Sequence, residues 1–175
     1  MKRIVPLLLA VMAVGGTAHA EKITIAATYG SFFPVSSATK NEFSSSFSRF
    51  SFTTFEPSKP TRNRIIFEVG NYDLNGDTQV KLLPITVGIE KGMKVRRSLQ
   101  PYTVLRAGPY YGRIRQLGAT KTDTKVGLNA SASLGVVFKK SFYAEARYDY
   151  FSRFAGFSFD GLSLSVGVKL FTIKL

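Results

Sequence analysis

Three charged residues that could take part in acid–base chemistry lie close together near the end of the chain. Glu145, Arg147 and Asp149 alternate with apolar residues, so a strand would place all three on one face. Two carboxylates on one face are the kind of pair that serves as general acid and general base. Arg147 lies between them, however, and an ion-paired network is the simpler prediction. We therefore predict no catalytic residue.

Two common catalytic side chains, those of Cys and His, are absent or nearly absent from the sequence. The chain has no Cys, and its single His is His19. This residue lies in segment 1–20, where a basic start, an apolar run of eleven residues and a small-x-small ending predict a secretory signal peptide. The run is shorter than the roughly 20 residues of a membrane-spanning helix. Removal of the peptide would leave a single domain, 21–175, without imidazole or thiol. That excludes His-dependent hydrolases and His-ligated metal sites, so we predict no enzyme activity, cofactor or metal.

Alternation of apolar and polar residues predicts the elements that position these charges. In the last such segment, Leu162, Leu164 and Val166 alternate with Ser163 and Ser165, which indicates a strand with one apolar face. Segments of about ten residues have the length of a tilted strand that crosses a bilayer. The pattern predicts eight strands, at residues 22–30, 47–56, 63–72, 80–90, 101–112, 125–139, 142–151 and 161–170.

The connections between these strands predict successive hairpins. If both chain ends lie in the periplasm, the outward connections are 31–46, which is a long Ser-rich loop, 71–79, 113–124 and 152–160. The opposite connections are 57–60, 91–100, which is basic, and 139–141. Asn75-Gly76 predicts a two-residue hairpin turn. Asp73 and Asp77 resemble part of a calcium loop, but the downstream Glu of such a loop is missing, so a turn is favoured.

Residue size indicates which face of the sheet points inward. In 125–139 and 161–170 the polar face is mostly Gly, Ser and Asn, which suit the interior of a narrow eight-stranded barrel. The fold class is then all-β, an eight-stranded antiparallel up-and-down transmembrane β-barrel with its apolar face in lipid. A soluble lipocalin-like barrel with the faces reversed is the alternative. The polar face also carries a predicted lumen charge cluster of mixed sign: Arg49, Glu68, Glu90, Arg106, Glu145, Arg147 and Asp149.

Three segments resemble the small outer-membrane β-barrel domains of the OmpA/OmpX type. They are 108–112 (Gly-Pro-Tyr-Tyr-Gly), 142–148 (Phe-Tyr-Ala-Glu-Ala-Arg-Tyr) and 161–171 (Gly-Leu-Ser-Leu-Ser-Val-Gly-Val-Lys-Leu-Phe). The resemblance implies an eight-stranded barrel in the outer membrane, inserted by the barrel-assembly machinery, with a structural, adhesive or unknown role. Members of that family usually end on an aromatic residue, whereas Phe171 is followed here by the extension 172–175. The alternation also changes phase at Leu170 and Phe171, which indicates a bulge or a longer last strand.

The aromatic residues of the chain predict an interfacial belt. There is no Trp, so the belt candidates are Tyr29, Tyr102, Tyr111, Tyr148 and Tyr150. The phenylalanines at 43, 47, 50, 52 and 55 are expected to face lipid or the belt as well. They are also the only cluster that could line an apolar ligand site inside the barrel.

Net charge points to anionic partners. Without Lys2 and Arg3, 22 of the 24 basic residues stand against 11 acidic ones, a formal charge of +11. The export signal argues against nucleic acid. Two explanations of the charge remain. The basic residues bind anionic head groups of outer-membrane lipid, or they lie on solvated turn surface.

Three functions follow as hypotheses. The first is a non-enzymatic outer-membrane barrel with a structural or surface-interaction role and a side-chain-filled polar lumen. The second is a lipocalin-like periplasmic barrel that binds an apolar ligand. The third is a narrow pore, which the small interior of an eight-stranded barrel disfavours.

Overall fold

The chain forms a closed barrel of eight antiparallel strands. The computed structural model describes residues 22–55, 63–93, 99–139 and 141–174. Each strand pairs with the next in sequence, and the last returns to the first, so the predicted eight-stranded up-and-down barrel is confirmed. The strands are β1 (Lys22–Pro34), β2 (Phe47–Thr54), β3 (Asn63–Leu74), β4 (Gln79–Gly92), β5 (Gln100–Arg115), β6 (Asp123–Phe138), β7 (Phe142–Phe151) and β8 (Gly161–Lys174).

The first connection is shorter and more ordered than its composition predicts. Strand β1 continues to Pro34, because the alternation persists with Phe32 in the lumen and Phe33 outside. The connection then contains one short helix, α1 (Ser37–Glu42), and the Ser36 hydroxyl accepts a hydrogen bond from the backbone N–H of Thr39 at 3.4 Å. The prediction of a uniform loop over 31–46 was therefore wrong. Among the described residues no helix is long and apolar enough to span a membrane.

Other strand ends also lie further out than predicted. β3 and β4 leave a connection of four residues, 75–78, rather than the two-residue turn that Asn75-Gly76 predicts. β5 extends to Arg115 and β6 starts at Asp123, which shortens the connection between them. The predicted turn at 57–60, residues 94–98 of the basic connection 91–100, and Lys140 lie outside the described residues.

Strand β8 contains the irregularity that the change of phase predicts. Ile25 pairs with Phe171 and Ala26 pairs with Lys169, so Leu170 is an extra residue with no partner in β1. The strand nevertheless continues to Lys174. Both a bulge and a longer last strand are present, and the apolar residues Leu170 and Phe171 can both face outward because of the bulge.

Proline interrupts the ladder at one place in the wall. Pro84 lies inside β4, where it pairs with Tyr110, and the register with β5 resumes only at Val87 and Ala107. On the other side, the ladder with β3 is broken at Leu83 and Pro84, between the pair of Val69 with Ile85 and the pair of Tyr72 with Leu82. Proline has no backbone N–H to donate, so β4 keeps its course but loses hydrogen bonds locally.

The two faces of the barrel have the polarity that the sequence predicts. Aliphatic side chains on the outer wall are largely exposed: the exposed fraction is between 58% and 69% for Ile65, Leu105, Leu128, Leu134 and Leu164. The inward face carries the small polar residues and the charged residues, most of which are buried. A water-soluble barrel would bury the aliphatic face instead, so the outer wall fits a hydrocarbon solvent.

Candidate functional site

A network of ion pairs crosses the middle of the lumen, and Glu68 is at its centre. Its carboxylate accepts from Arg49 Nη2 at 3.1 Å, and Arg106 Nε lies 3.2 Å from Oε2. Arg147 binds the same carboxylate with both terminal nitrogens, at 2.6 Å and 2.7 Å. All four side chains are at most 4% exposed. Three arginines on three different strands therefore meet one carboxylate from β3.

Glu145 and Asp149 complete the network. Arg147 Nη2 donates to Glu145 Oε1 at 2.8 Å, and Arg106 Nη2 donates to Glu145 Oε2 at 3.1 Å. Arg147 Nη1 lies 3.9 Å from Asp149 Oδ1, the longest ion pair of the set. Three cations and three anions thus have balanced formal charge in a buried space, which is the condition under which buried charges are tolerated.

Small side chains on neighbouring strands make room for the arginines and bind them. Ser133 accepts a hydrogen bond from Arg106 Nη1 at 2.9 Å, and Ser165 accepts one from Arg49 Nη1 at 3.2 Å. Ser163 donates to Asp149 Oδ2 at 2.8 Å. Three of the Ser residues that indicated an interior face are therefore also hydrogen-bond partners of the charged groups.

Glu90 is the one predicted cluster residue that stands apart. It is buried on the inward face of β4, but no ion pair joins it to the six other residues in the part of the chain that the structure describes. Its neighbours across the ladders are Arg64 and Val104. The sequence could not separate Glu90 from the cluster, because alternation specifies the face of a residue and not its height along the lumen.

An aromatic and aliphatic layer fills the lumen on one side of the network. We call the end of the barrel with the β1–β2, β3–β4, β5–β6 and β7–β8 connections the loop end, and this layer the loop-end layer. Ring contacts join Phe32 to Phe47, Tyr72 and Phe151 over centroid distances of 5.3–6.3 Å. Tyr72 also accepts a hydrogen bond from Arg49 Nε at 3.0 Å, which links the layer to the network. The buried members are Phe32, Phe47, Tyr72, Val80, Leu82, Tyr110, Ile114, Phe151, Phe154 and Phe159.

A second apolar layer lies on the other side of the network, at the terminal end, where β1 begins and β8 ends. This terminal-end layer is centred on Phe55, whose ring lies 5.0 Å from that of Tyr102 and 4.4 Å from that of Tyr143. The Tyr102 hydroxyl donates to Glu145 Oε2 at 3.2 Å. The members are Ala26, Phe55, Ile66, Tyr102, Val104, Val137 and Tyr143.

These layers correct two aromatic predictions. Phe47 and Phe55 are buried in the lumen, so the expectation that they face lipid was wrong, whereas Phe50 and Phe52 do face outward. Their placement follows from the Arg49 face, which is the inward face of β2. Tyr102 was also a wrong belt candidate, since it is 0% exposed inside the barrel. The four other belt candidates are 45–63% exposed on the outer wall.

The two described grooves lie on the outer wall and not in the lumen. One, of about 370 Å³, is beside the interrupted ladder at Pro84 and is lined by Phe52, Phe67, Val69, Ile85 and Val87. The other, of about 680 Å³, is lined by Tyr29, Phe33, Ala144, Ala146 and Leu164. Within the described ranges, no group of three or more His, Cys, Asp or Glu side chains is placed to hold a metal ion.

A closed barrel with an aliphatic outer wall and a charged, packed lumen is a membrane-spanning β-barrel. No protein-family model and no curated protein sequence matches the chain. Neisserial surface protein A matches its structure with a TM-score of 0.60 and 17% identity, over 87% of this chain and 100% of that chain. The outer-membrane enzyme PagL matches with a TM-score of 0.56 and 13% identity, over 84% of this chain and 99% of that chain. Ail, the attachment invasion locus protein of Yersinia pestis, matches with a TM-score of 0.54 and 15% identity, over 87% of this chain and 100% of that chain.

These comparisons concern the fold. They confirm that the chain has the fold of a small outer-membrane β-barrel, as the resemblance to the OmpA/OmpX type implied. The predicted fold class is confirmed, and the exposed aliphatic wall around a buried charged lumen contradicts the soluble lipocalin-like alternative. An enzyme and an attachment protein share this fold, so the fold alone does not determine activity.

Proposed function

We propose that this protein is a non-enzymatic outer-membrane barrel, a closed scaffold that presents its loop end for interactions at the cell surface. The observation that carries the proposal is the filling of the lumen. The loop-end layer, the ion-pair network and the terminal-end layer succeed one another along the barrel axis. This is the arrangement of a rigid support and not of a channel.

Conductance tests the closed lumen. An eight-stranded barrel has an interior that side chains nearly fill, and here Arg49, Arg106 and Arg147 meet across it. We expect no steady conductance from the wild-type protein in a planar bilayer. Steady conductance that changes with Glu145→Ala or Arg147→Ala, but not with the exposed control Arg113→Ala, would contradict the proposal.

A ligand inside the barrel would need space that the two layers occupy. Phe47 and Phe55 are the inward members of the phenylalanine cluster, and both are packed against other rings. We expect no stoichiometric binding of a lipophilic dye within the lumen. A dye that binds the reconstituted protein one to one, and loses affinity with Phe55→Ala but not with the outward Phe50→Ala, would indicate an internal site.

The loop end is held in one arrangement by contacts between its connections. Thr39 on α1 donates to the backbone carbonyl of Ser158 at 2.5 Å, and Val35 N–H donates to that of Asp160 at 2.8 Å. Glu42 accepts from the backbone N–H of Leu117 at 3.0 Å, which joins α1 to the β5–β6 connection. A pre-ordered surface loses little entropy on binding, so these contacts support a role in recognition. Ail, an attachment invasion locus protein with the same fold, supports it by analogy.

Cell retention tests the surface role. Leu117 is 68% exposed and Lys121 is exposed in the same connection. Cells that express the wild-type protein should be retained on at least one member of a panel of immobilised glycans and matrix proteins. The double variant Leu117→Ser with Lys121→Ser should lose that retention, and Lys91→Ser at the opposite end should keep it. Retention equal to that of non-expressing cells on every surface would contradict the role.

The absence of catalysis is also part of the proposal. Glu145 and Asp149 are the carboxylates that could exchange protons, and both are buried in the lumen, where Arg147 and Ser163 bind them. Because PagL is an enzyme with this fold, the proposal needs a direct test. Purified protein incubated with outer-membrane lipid should leave the lipid mass spectrum unchanged. A time-dependent change in the mass of the lipid would contradict it.

Export and insertion are the remaining parts. We infer that segment 1–20 is removed as a signal peptide and that the barrel-assembly machinery inserts domain 21–175. The observation behind the second inference is the closed sheet, which has to be completed by pairing β1 with β8. The mature N-terminus should be Glu21 by sequencing. Depletion of the assembly machinery should reduce the folded form seen by heat-dependent gel mobility, and an undiminished folded form would contradict it.

A further inference from the structure

Two basic side chains point outward from neighbouring strands at the loop end of the barrel. Lys81 on β4 pairs with Arg113 on β5, and both are exposed, whereas the residues before and after each of them are buried on the inward face. Like charges directly opposite each other on a sheet are unfavourable. No ion pair joins either side chain to a carboxylate among the residues that the structure describes. These two residues, which we call the cation pair, are therefore available to an anion from outside the chain.

One acidic residue stands in the same row of the sheet. Asp73 on β3 pairs with Lys81 and is partly exposed. Asp123 on β6 pairs with the inward residue Ile114, so strand alternation places it on the other face. The two cations and one carboxylate of the outer row leave a formal charge of +1. A single anion of charge −1 would neutralise it.

The cation pair lies at the edge of the apolar wall. The outer face of β4 has Lys81 at one end and Lys91 at the other, with four apolar residues between them: Leu83, Ile85, Val87 and Ile89. The strand between the two lysines, about ten residues of about 3.3 Å each tilted by about 40°, spans about 25 Å in height, which is the height of the apolar band of outer-membrane barrels. Lys81 and its partner Arg113 are therefore at the level of the lipid head groups in the leaflet at the loop end.

An apolar groove lies below the cation pair on the same two strands. It is the outer-wall groove of about 370 Å³, which includes Ile85 and Val87 of β4 and Ala107 and Pro109 of β5. It lies where Pro84 interrupts the ladder and Ile85 has no partner in β5. The irregular pairing thus produces a depression in the wall at the depth of the lipid chains.

Apolar side chains connect the cation pair to this groove. Leu83 pairs with Tyr111 between them, and Tyr111 is 45% exposed on the outer face. The first groove residues, Ile85 and Pro109, are about four residues from the cation pair, or about 13 Å along the strand. A molecule that contacts both features has an anionic head and a flexible apolar chain. Lipids of the surrounding membrane place these two parts at these two depths.

We propose that the cation pair and the groove below it form a binding site for a lipid with an anionic phosphate head group from the leaflet at the loop end. The phosphate accepts hydrogen bonds from Lys81 and Arg113, and the planar fork of arginine donors suits phosphate oxygens. One acyl chain lies in the groove. Close packing holds this chain there, because the bilayer is as apolar as the wall and burial from water contributes nothing.

The inference deepens the lipid partnership of the proposed outer-membrane scaffold and rests on that placement. It does not depend on the surface role of the loop end. The conductance and cell-retention tests measure other properties, so failure of the scaffold proposal would be recognised independently.

Native mass spectrometry of the protein in detergent provides the test. The wild-type protein is titrated with phosphatidylglycerol or with phosphatidylcholine of the same acyl chains, and the complex with one lipid is quantified. We expect phosphatidylglycerol to bind about fivefold more tightly, which is the effect of one net cation near a membrane surface. Inorganic phosphate at the concentration of the lipid should not displace it, because phosphate has no chain for the groove. Equal affinity for the two lipids, or displacement by phosphate, would overturn the proposal.

Charge variants test the head-group contact. Lys81→Gln with Arg113→Gln should bring the two lipids to equal affinity. The matched control, Lys91→Gln with Lys121→Gln, removes two exposed charges elsewhere and should keep the preference. An equal loss in both double variants would mean that the attraction is not local and would overturn the site. Heat-dependent gel mobility and the urea midpoint in phosphatidylcholine vesicles verify that both variants fold. If one does not, the wild-type comparison and the groove variants decide.

Ring substitutions test the chain contact. Ala107→Phe fills the groove from β5, and Ala132→Phe adds the same ring to the exposed outer face of β6, outside both grooves. Ala107→Phe should weaken the binding of both lipids several-fold and keep their ratio. Ala132→Phe should change neither affinity. Unchanged lipid affinity in Ala107→Phe would remove the groove from the site and overturn the proposal.

An anionic surface polymer is the competing partner of the cation pair. Dextran sulfate is the probe, and it should bind the wild type and the Lys81→Gln, Arg113→Gln variant alike. Binding that only this variant loses, with its lipid preference unchanged, would overturn the lipid site and assign the cation pair to a polymer.

Discussion

Arg147 on β7 binds Glu68 on β3 through two parallel hydrogen bonds, from Nη1 to Oε1 at 2.6 Å and from Nη2 to Oε2 at 2.7 Å. The two strands share no ladder, and each is four strands from the other in a closed ring of eight. The pair therefore joins opposite walls of the barrel across its lumen. Bidentate Arg–carboxylate pairs are among the strongest and most directional polar contacts in proteins.

Removal of this arginine should be strongly destabilising. Arg147→Ala leaves Glu68, Glu145 and Asp149 without their shared partner in a space where all three are buried. Loss of one member of a buried ion pair costs about 3–5 kcal/mol, because the remaining charges stay desolvated. Urea unfolding of the protein in lipid vesicles, followed by circular dichroism, would measure the loss.

Two further variants show whether the loss of stability in Arg147→Ala is caused by the loss of the bidentate contact. Arg147→Lys keeps the charge but cannot make two parallel hydrogen bonds, so its unfolding midpoint should lie between those of the wild type and Arg147→Ala. Arg113→Ala removes an exposed arginine and should change the midpoint little. An unchanged midpoint for Arg147→Ala would mean that water solvates the carboxylates in the lumen.

A charge on the outer wall should destabilise the barrel for a different reason. Ala146 points outward from β7 and pairs with Leu134 and Leu164, both more than half exposed on the same face. Ala146→Arg would place a cation in hydrocarbon, at a cost of about 2–4 kcal/mol near the bilayer midplane. The same urea titration measures it. Leu117→Arg in the exposed β5–β6 connection is the control, and an equal effect of both variants would contradict a lipid-facing wall at Ala146.

Most of the fold could be predicted from alternation. Period two is a property of the strand backbone, so it reports strand positions and faces without knowledge of tertiary contacts. The ends were harder, because residues 31–34 and 113–115 continue the ladder although they adjoin Ser-rich and polar segments that the sequence assigned to loops. Pairing with a neighbouring strand stabilises such residues, and that contribution is not visible in a single segment.

The lumen could be predicted only as a face. The sequence placed seven ionisable residues inside, and the structure brings six of them together while Glu90 stands apart. The sequence did not indicate that Phe55 and Tyr102 fill the lumen at the terminal end, because aromatic residues suit both a lipid interface and a packed interior. A usable signal was present, however. Gly135 stands opposite Tyr102, and Gly167 stands opposite Tyr143, so each inward ring faces a residue without a side chain.

This pairing of tyrosine with glycine should be sensitive to a single methyl group. A Cβ at Gly167 would overlap the ring of Tyr143, whose hydroxyl is fixed by a 2.6 Å hydrogen bond with Thr28. Gly167→Ala should therefore destabilise the barrel by about 1–3 kcal/mol through overpacking. The urea midpoint in vesicles is the measurement.

The matched control is Gly76→Ala in the β3–β4 connection, where an added Cβ has no neighbour closer than 3.8 Å. That variant should be close to neutral. Tyr143→Leu combined with Gly167→Ala should be less destabilised than the sum of the two single changes, because the shorter side chain removes the overlap. Additive effects would show that the ring does not cover the glycine.

Deletion of one residue from a strand should be tolerated at the bulge and nowhere else in β8. Leu170 has no partner in β1, so its removal leaves the pairs of Ala26 with Lys169 and of Ile25 with Phe171 in a regular ladder. We expect the deletion to fold, with heat-dependent gel mobility retained and a change in unfolding free energy of about 1 kcal/mol or less, since it removes an irregularity without changing any face. Deletion of Val166 is the contrasting variant: it would turn part of the strand over, placing apolar side chains in the lumen and polar ones in lipid. That variant should not form the heat-modifiable barrel. If both deletions behaved alike in the gel, the bulge at Leu170 would be the wrong account of the phase change.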